Sequence, residues 1–284
     1  MLLCCAGVGM RLHAQPLNKG RIAILGDSIA YAGPWANEVE NALKADKKFE
    51  ACEIVNFAVP SETVAGLSEY GHAGGRFPRP CLHECLDRVL QMYRPQLILA
   101  CYGMNDGLMQ AFDKARLQAY QEGNIRLKKA ADAAKAEIVF ITPPLFRGDS
   151  AEQAEYDAVL DKYAEWLVSK RKDGWKVIDI RPGLRKLIAR EKAGNPGFRY
   201  SGDGVHPGPE GHHMIAREVL AGLVPEIGLA PEVAEKDHRP TPDTMKKHEK
   251  VRNEWLVKTG HARPEIPGYD PAMDKRQFPR TVAV

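Results

Sequence analysis

Four short stretches of this chain carry the residue types that ester hydrolysis through a covalent intermediate needs. They are Gly26-Asp27-Ser28-Ile29, Asn56-Phe57-Ala58, Gly103-Met104-Asn105-Asp106 and Asp203-Gly204-Val205-His206-Pro207. The chemistry calls for a nucleophile, a base, a group that orients the base, and donors for the oxyanion. Ser28 is the candidate nucleophile, His206 the base and Asp203 its orienter. Asp203 and His206 stand three residues apart, so one loop turn can present both to Ser28. The N–H groups of Ser28 and Ala58 and the side-chain amide of Asn105 are the candidate oxyanion donors. Taken singly, a serine after a strand is usually a cap and an asparagine in a turn a turn-former. Asp27 and Asp106 read as turn and hydrogen-bonding residues, and His212 and His213 as packing or surface residues. Gly148-Asp149-Ser150 repeats the first motif but reads as a helix start, since Ser150 and Gln153 have capping-box spacing.

The elements that must position these residues alternate. Arg21–Leu25, Glu53–Asn56, Gln96–Cys101, Glu137–Ile141 and Lys176–Ile180 are short apolar runs of the kind found in buried parallel strands. Between them lie helical stripes, such as Tyr156, Val159, Leu160, Tyr163 and Leu167 on one face. Strands joined by crossover helices imply an α/β fold, a parallel sheet covered on both faces. In such sheets the site lies beyond the carboxyl ends of the strands. Ser28 follows the first run, Ala58 the second and Asn105 the third, while Asp203 and His206 lie after the fifth. All four stretches therefore converge on one edge, which chance matches have no reason to do.

Composition sets wider bounds. The chain has 284 residues and a net charge of +3, with no dominant basic run, which gives no basis for a nucleic-acid partner. No apolar run is long enough to span a bilayer. Met1 to Gly9 is apolar and small, and Leu12-His13-Ala14 before Gln15 resembles the end of a signal peptide. A basic n-region is missing, and Cys4 and Cys5 lie too near the start for a lipoprotein signal. The expectation is an exported protein, with a cytoplasmic chain as the alternative. Cys52 and Cys101 read as buried small hydrophobes. Cys81 and Cys85 lie four apart on an expected helix, within disulfide reach if the geometry permits, with thiols as the default. Cys81-Leu82-His83-Glu84-Cys85 lacks a second ligand pair nearby, so no metal is expected.

At these blocks the chain resembles the GDSL, or SGNH, hydrolase family. Gly26-Asp27-Ser28-Ile29, Gly103-Met104-Asn105-Asp106 and Asp203-Gly204-Val205-His206-Pro207 match its first, third and fifth blocks. The resemblance implies a flavodoxin-like three-layer α/β/α sandwich with a five-stranded parallel sheet, and a serine esterase that uses no cofactor. The second block departs from the family. It keeps Asn56 and Thr63 but has Ala58 where the family's glycine donates its N–H. If the angles there suit only glycine, Ala58 costs about 1 kcal/mol, so Ala58→Gly is expected to leave activity equal or higher.

The expected division is residues 1–20 as leader and linker, 21–230 as the hydrolase domain and 231–284 as a partly helical extension that wraps the surface. A glycine- and proline-rich insertion, Ser68 to Pro80, follows the second strand. Its His72, Arg76 and Arg79 are candidate substrate contacts, and an arginine there can take a glycan carboxylate. With the export signal and no long apolar lid, these residues favour a carbohydrate O-acetyl esterase acting on a small-molecule or glycan ester. A lipase or lysophospholipase is the alternative, and a glycan-binding module without turnover is the reading that Ala58 alone encourages.

Overall fold

A computed structural model describes residues 20–147, 151–266, 269, 271 and 281–282. The leader and the Cys4 and Cys5 readings, and the helix start at Ser150, lie outside them. Five apolar runs form one sheet: β1 (Arg21–Gly26), β2 (Glu53–Asn56), β3 (Leu97–Cys101), β4 (Glu137–Ile141) and β5 (Lys176–Ile178). Their spatial order is β2-β1-β3-β4-β5, and each neighbouring pair is parallel. β3 is buried along its whole length, as a strand covered on both faces must be.

Register sets the site's edge. Gly26 lies opposite Cys101, and Cys101 opposite Ile141, so β1, β3 and β4 end together. The fifth strand stops at Ile178 rather than Ile180. There the Ile180 N–H donates to Thr142 Oγ1 and the Arg181 N–H to Asp179 Oδ1, which turns the chain into a helix.

Helices cover both faces. They are α1 (Ser28–Ala32), α2 (Pro34–Ala45), α3 (Leu86–Tyr93), α4 (Lys114–Ala133), α5 (Ala151–Ser169), α6 (Arg181–Gly194) and α7 (Pro209–Ile227), followed by α8 (Pro231–Ala234) and α9 (Pro242–Thr259). α2 packs on α7, and α4 on α5. The Tyr156-to-Leu167 stripe of α5 is buried in the core. This is the parallel sheet covered on both faces expected from the alternation, and the three-layer α/β/α sandwich that the resemblance implies.

Beyond residue 230 the chain packs on the β2 side of the sheet. Trp255 of α9 meets Phe57 and Tyr93 edge-on, at 6.1 and 4.9 Å between centroids, and Leu256 is fully buried. The insertion after β2 is closed at its base, where the Thr63 N–H donates to Pro80 O and the Leu82 N–H to Thr63 O. Cys81 and Cys85 are not on one helix. They flank a short 3-10 turn, Leu82–Glu84, and both are buried, with Cys85 Sγ 3.5 Å from Gly260 O. No helix among the described residues is long and apolar enough to cross a membrane.

Candidate active site

Ser28 opens α1 immediately after β1, and Asp27 caps that helix by accepting the Ile29 N–H at 2.9 Å. α1 is five residues long, so it contributes first-turn N–H groups rather than a sizeable macrodipole. At Gly26 an added Cβ would lie 3.0 Å from Cys101 O and from the Ala30 Cβ, so a side chain would crowd the strand end.

The loop carrying Asp203 and His206 is closed on itself. Ser201 bridges Pro207, and the Gly208 N–H donates to Tyr200 O at 2.9 Å. Asp203 Oδ1 accepts the N–H groups of Val205 and His206 and the Ser201 hydroxyl. Its Oδ2 is 2.7 Å from His206 Nδ1, and His206 Nε2 is 2.9 Å from Ser28 Oγ. With Nδ1–H donating to the carboxylate, Nε2 is left as the acceptor for the serine proton. Burial pushes the Asp203 carboxyl up, but the bonds from His206 and Val205 outweigh it and hold the group well below the usual carboxylate range.

Asn105 comes from the turn after β3. Gly103 precedes it at φ +130, with Pro143 2.9 Å from where a Cβ would stand, so both conformation and space demand glycine. Asn105 is buried; its Oδ1 accepts from Arg79 Nη1 at 2.9 Å, and its Nδ2 donates to Glu62 O at 3.2 Å. An amide nitrogen carries two hydrogens, so one remains.

Ala58 is placed differently from its expected role. It is fully buried, and its N–H donates to Asn56 Oδ1 at 3.0 Å. A donor already engaged inside the turn is not available to an oxyanion. Three residues on, Ser61 sits at φ +66, and its N–H has no partner among the described residues. Ser61 adjoins Glu62, whose carbonyl holds Asn105. A left-handed position directly before Glu62 marks Ser61, rather than Ala58, as the glycine-favouring position of this loop. The signal was in Ser61-Glu62-Thr63, a small residue before an acid in a sharp turn. Ser61→Gly is expected to relieve about 1 kcal/mol of backbone strain, with kcat equal to or above wild type. Ala58→Gly should give no gain in kcat and a slightly lower Tm. Steady-state kinetics and thermal unfolding of both variants check this.

The other candidate contacts are also engaged. Arg79, expected to meet substrate, is buried and forks onto Glu69 through Nε and Nη2 at 2.7 and 2.9 Å. With its third contact on Asn105, it has no fork left for a substrate carboxylate. His72 Nδ1 binds the same Glu69 at 3.1 Å. Burial raises the Glu69 carboxyl, but His72 and Arg79 bring it down to about 2. Arg76 is exposed and paired with Glu265.

Asp27 and Asp106 lie buried beside this site. Burial pushes Asp27 up to about 6 and Asp106 up to about 7, the latter helped by the Asp27 charge. Each therefore holds its proton more tightly folded than unfolded, so its contribution to stability falls as pH rises from about 4 through 7. His212 is buried and pushed down to about 4, which gives the opposite slope below 6.5. The comparison is consequently with a variant. Asp106→Asn, which keeps an acceptor for the Ala65 N–H, should gain Tm relative to wild type as pH goes from 5 to 8.

Glu38, His213 and Asp237 form a group of metal-ligand type, with donor atoms within 4.8 Å of one another. His213 Nδ1 is bonded to Glu38 at 2.8 Å and Asp237 pairs with Arg239, so each group already has a partner.

The chain is similar to known proteins in sequence pattern and fold. The model of the GDSL-like lipase/acylhydrolase family matches residues 24–214. No curated protein sequence matches the chain. Among solved structures, a catalytic variant of Axe2, an acetylxylan esterase from Geobacillus stearothermophilus, superposes with a TM-score of 0.56 at 16% identity, over 72% of this chain and 94% of that one. LAE5, an alpha/beta hydrolase enzyme from the metagenome of Lake Arreo, gives 0.54 at 17% identity over the same shares. BT4096, a gut microbial diltiazem-metabolizing enzyme, gives 0.53 at 16% identity over 72% of this chain and 47% of its own. At these identities the structures speak to the fold, while the family model covers most of the chain and all four site stretches. The chain belongs to the GDSL-like lipase/acylhydrolase family and is a carboxylic ester hydrolase.

Proposed function

We propose that this protein hydrolyses carbohydrate O-acetyl esters through an acyl-enzyme on Ser28. The observation that carries the serine mechanism is the Asp203–His206–Ser28 line, with contacts of 2.7 and 2.9 Å. Ser28 Oγ attacks the ester carbonyl as His206 Nε2 takes its proton. The oxyanion is received by the Ser28 N–H, the Ser61 N–H and the remaining Asn105 Nδ2–H. As the C–O bond breaks, His206 returns the proton to the departing sugar hydroxyl. Water then attacks the acyl-serine, giving its proton to His206, which passes it to Ser28 Oγ as the acyl–Oγ bond breaks and the carboxylic acid leaves.

The acetyl preference rests on the polar surroundings of the site and on the acetylxylan esterase among its structural neighbours. The catalytic pair is open to solvent, His206 and Asp203 each being about half exposed. Arg79 is forked onto Glu69 and Arg76 pairs with Glu265, so neither guanidinium favours a glycan carboxylate as its partner. The binding-module reading also loses its only encouragement, since Ala58 is not the oxyanion donor. A C2-to-C12 series of aryl esters tests the substrate class. Turnover confined to C2–C4 acyl groups, with acetate released from acetylated xylo-oligosaccharides, is the expected result. Rates that rise toward C12 would replace it with the lipase reading.

A further inference from the structure

We propose that the C-terminal segment running from His261 to Glu265 is part of the catalytic apparatus, with His261 acting through Glu62 as a positioning residue for the oxyanion loop. This rests on the serine-esterase reading above. The segment lies beyond residues 24–214, the span that the family model matches.

The contacts are deep and specific. His261 is 1% exposed, and its Nε2 lies 2.6 Å from Glu62 Oε1, itself on a 1% exposed side chain. Tyr102 Oη donates to the other carboxylate oxygen, Oε2, at 2.6 Å. Glu62 is thus held on one oxygen by the residue after β3 and on the other by the C-terminal segment. Its backbone carbonyl takes the Asn105 amide at 3.2 Å, and it directly follows Ser61 at φ +66. Two oxyanion donors therefore depend on where Glu62 stands.

A second contact clamps the same loop. Arg263 Nε donates to Pro60 O at 3.0 Å, and its guanidinium lies 5.0 Å from the Phe77 ring centroid. Further out, Glu265 pairs with Arg76 of the insertion. The start of the segment is anchored independently, since Arg88 donates to the carbonyls of Thr259 and Gly260. Loop Pro60–Glu62 is short, carries a left-handed serine and has a buried carboxylate at its end. Without His261 that carboxylate loses its cationic or N–H partner in a dry site, and it would move toward water, taking the Glu62 carbonyl and the Ser61 N–H with it.

The test combines kinetics with a coupling measurement. In His261→Leu, kcat on aryl acetate is expected to fall about 10- to 100-fold, the scale of misplaced catalytic groups, while KM stays within about twofold. His261→Gln, which keeps an N–H for Glu62, should recover most of the loss. If His261 acts through the oxyanion donors, removing it in an Asn105→Ala background should cost clearly less than in wild type, because only the Ser61 N–H is left to be displaced. A purely structural role predicts that the two losses multiply. Arg263→Ala disturbs the same loop without stranding the carboxylate, and it should lower kcat in the same sense even if His261→Leu fails to fold. Wild-type kcat in His261→Leu or, should that variant not fold, in Arg263→Ala would overturn the proposal. So would losses that multiply fully with Asn105→Ala. The esterase reading is judged separately: it fails if Ser28→Ala or Asn105→Ala retains full turnover, whatever the His261 variants do.

Discussion

Ser28→Ala lowers kcat on short aryl acetates by about 10⁶-fold, the cost of removing a nucleophile from a working serine–histidine–acid unit. Ser28 Oγ stands 2.9 Å from His206 Nε2, so alanine removes both the attacking atom and the proton the base is placed to accept. KM should change little, because the hydroxyl is a small share of the ground-state contact. Asp203→Asn is expected to cost about 10⁴-fold. An asparagine amide at Asp203 would favour the imidazole tautomer protonated on Nε2, which cannot take the serine proton. Asp203 also anchors the loop through three further bonds, so unfolding of this variant must be followed alongside its kinetics.

Asn105→Ala is expected to lower kcat by about 100- to 1,000-fold, as the loss of one preorganised oxyanion donor does. Its amide is fixed at both ends, by Arg79 on Oδ1 and Glu62 on Nδ2, so the remaining N–H is aimed before substrate arrives. The charged guanidinium also polarises the amide and strengthens it as a donor. Arg79→Lys should therefore behave like a loss, since an ammonium cannot fork onto Glu69 and reach Asn105 together. Single-turnover kinetics should place both defects in the chemical step, with KM nearly unchanged.

The sheet was readable because buried parallel strands are short continuous apolar runs, and five of them came with helical stripes between. β5 was misjudged at its end because hydropathy does not report that Thr142 and Asp179 turn the chain at Ile180. The Asp203–His206 contact was readable because the two share one local loop. The second block was not. Asn56 and Thr63 bracket it in sequence, but which N–H in between is unengaged depends on a side-chain bond from Asn56 and on the φ of Ser61. The roles of Arg79 and His261 were hidden for a related reason. An arginine in a glycine-rich insertion looks like a solvent-facing ligand contact until Glu69 and Asn105 are found on either side of it. His261 lies in a polar, proline-rich extension, and its partner Glu62 is 199 residues away.

A reaction that passes through a covalent bond to Ser28 leaves that bond open to trapping. Incubation with an aryl fluorophosphonate, followed by peptide mass spectrometry, should place one phosphonyl group on the Ser28 peptide. Loss of aryl acetate turnover should follow that labelling in proportion, and Ser28→Ala should remain unlabelled. Labelling elsewhere, or full turnover once Ser28 is occupied, would contradict the account.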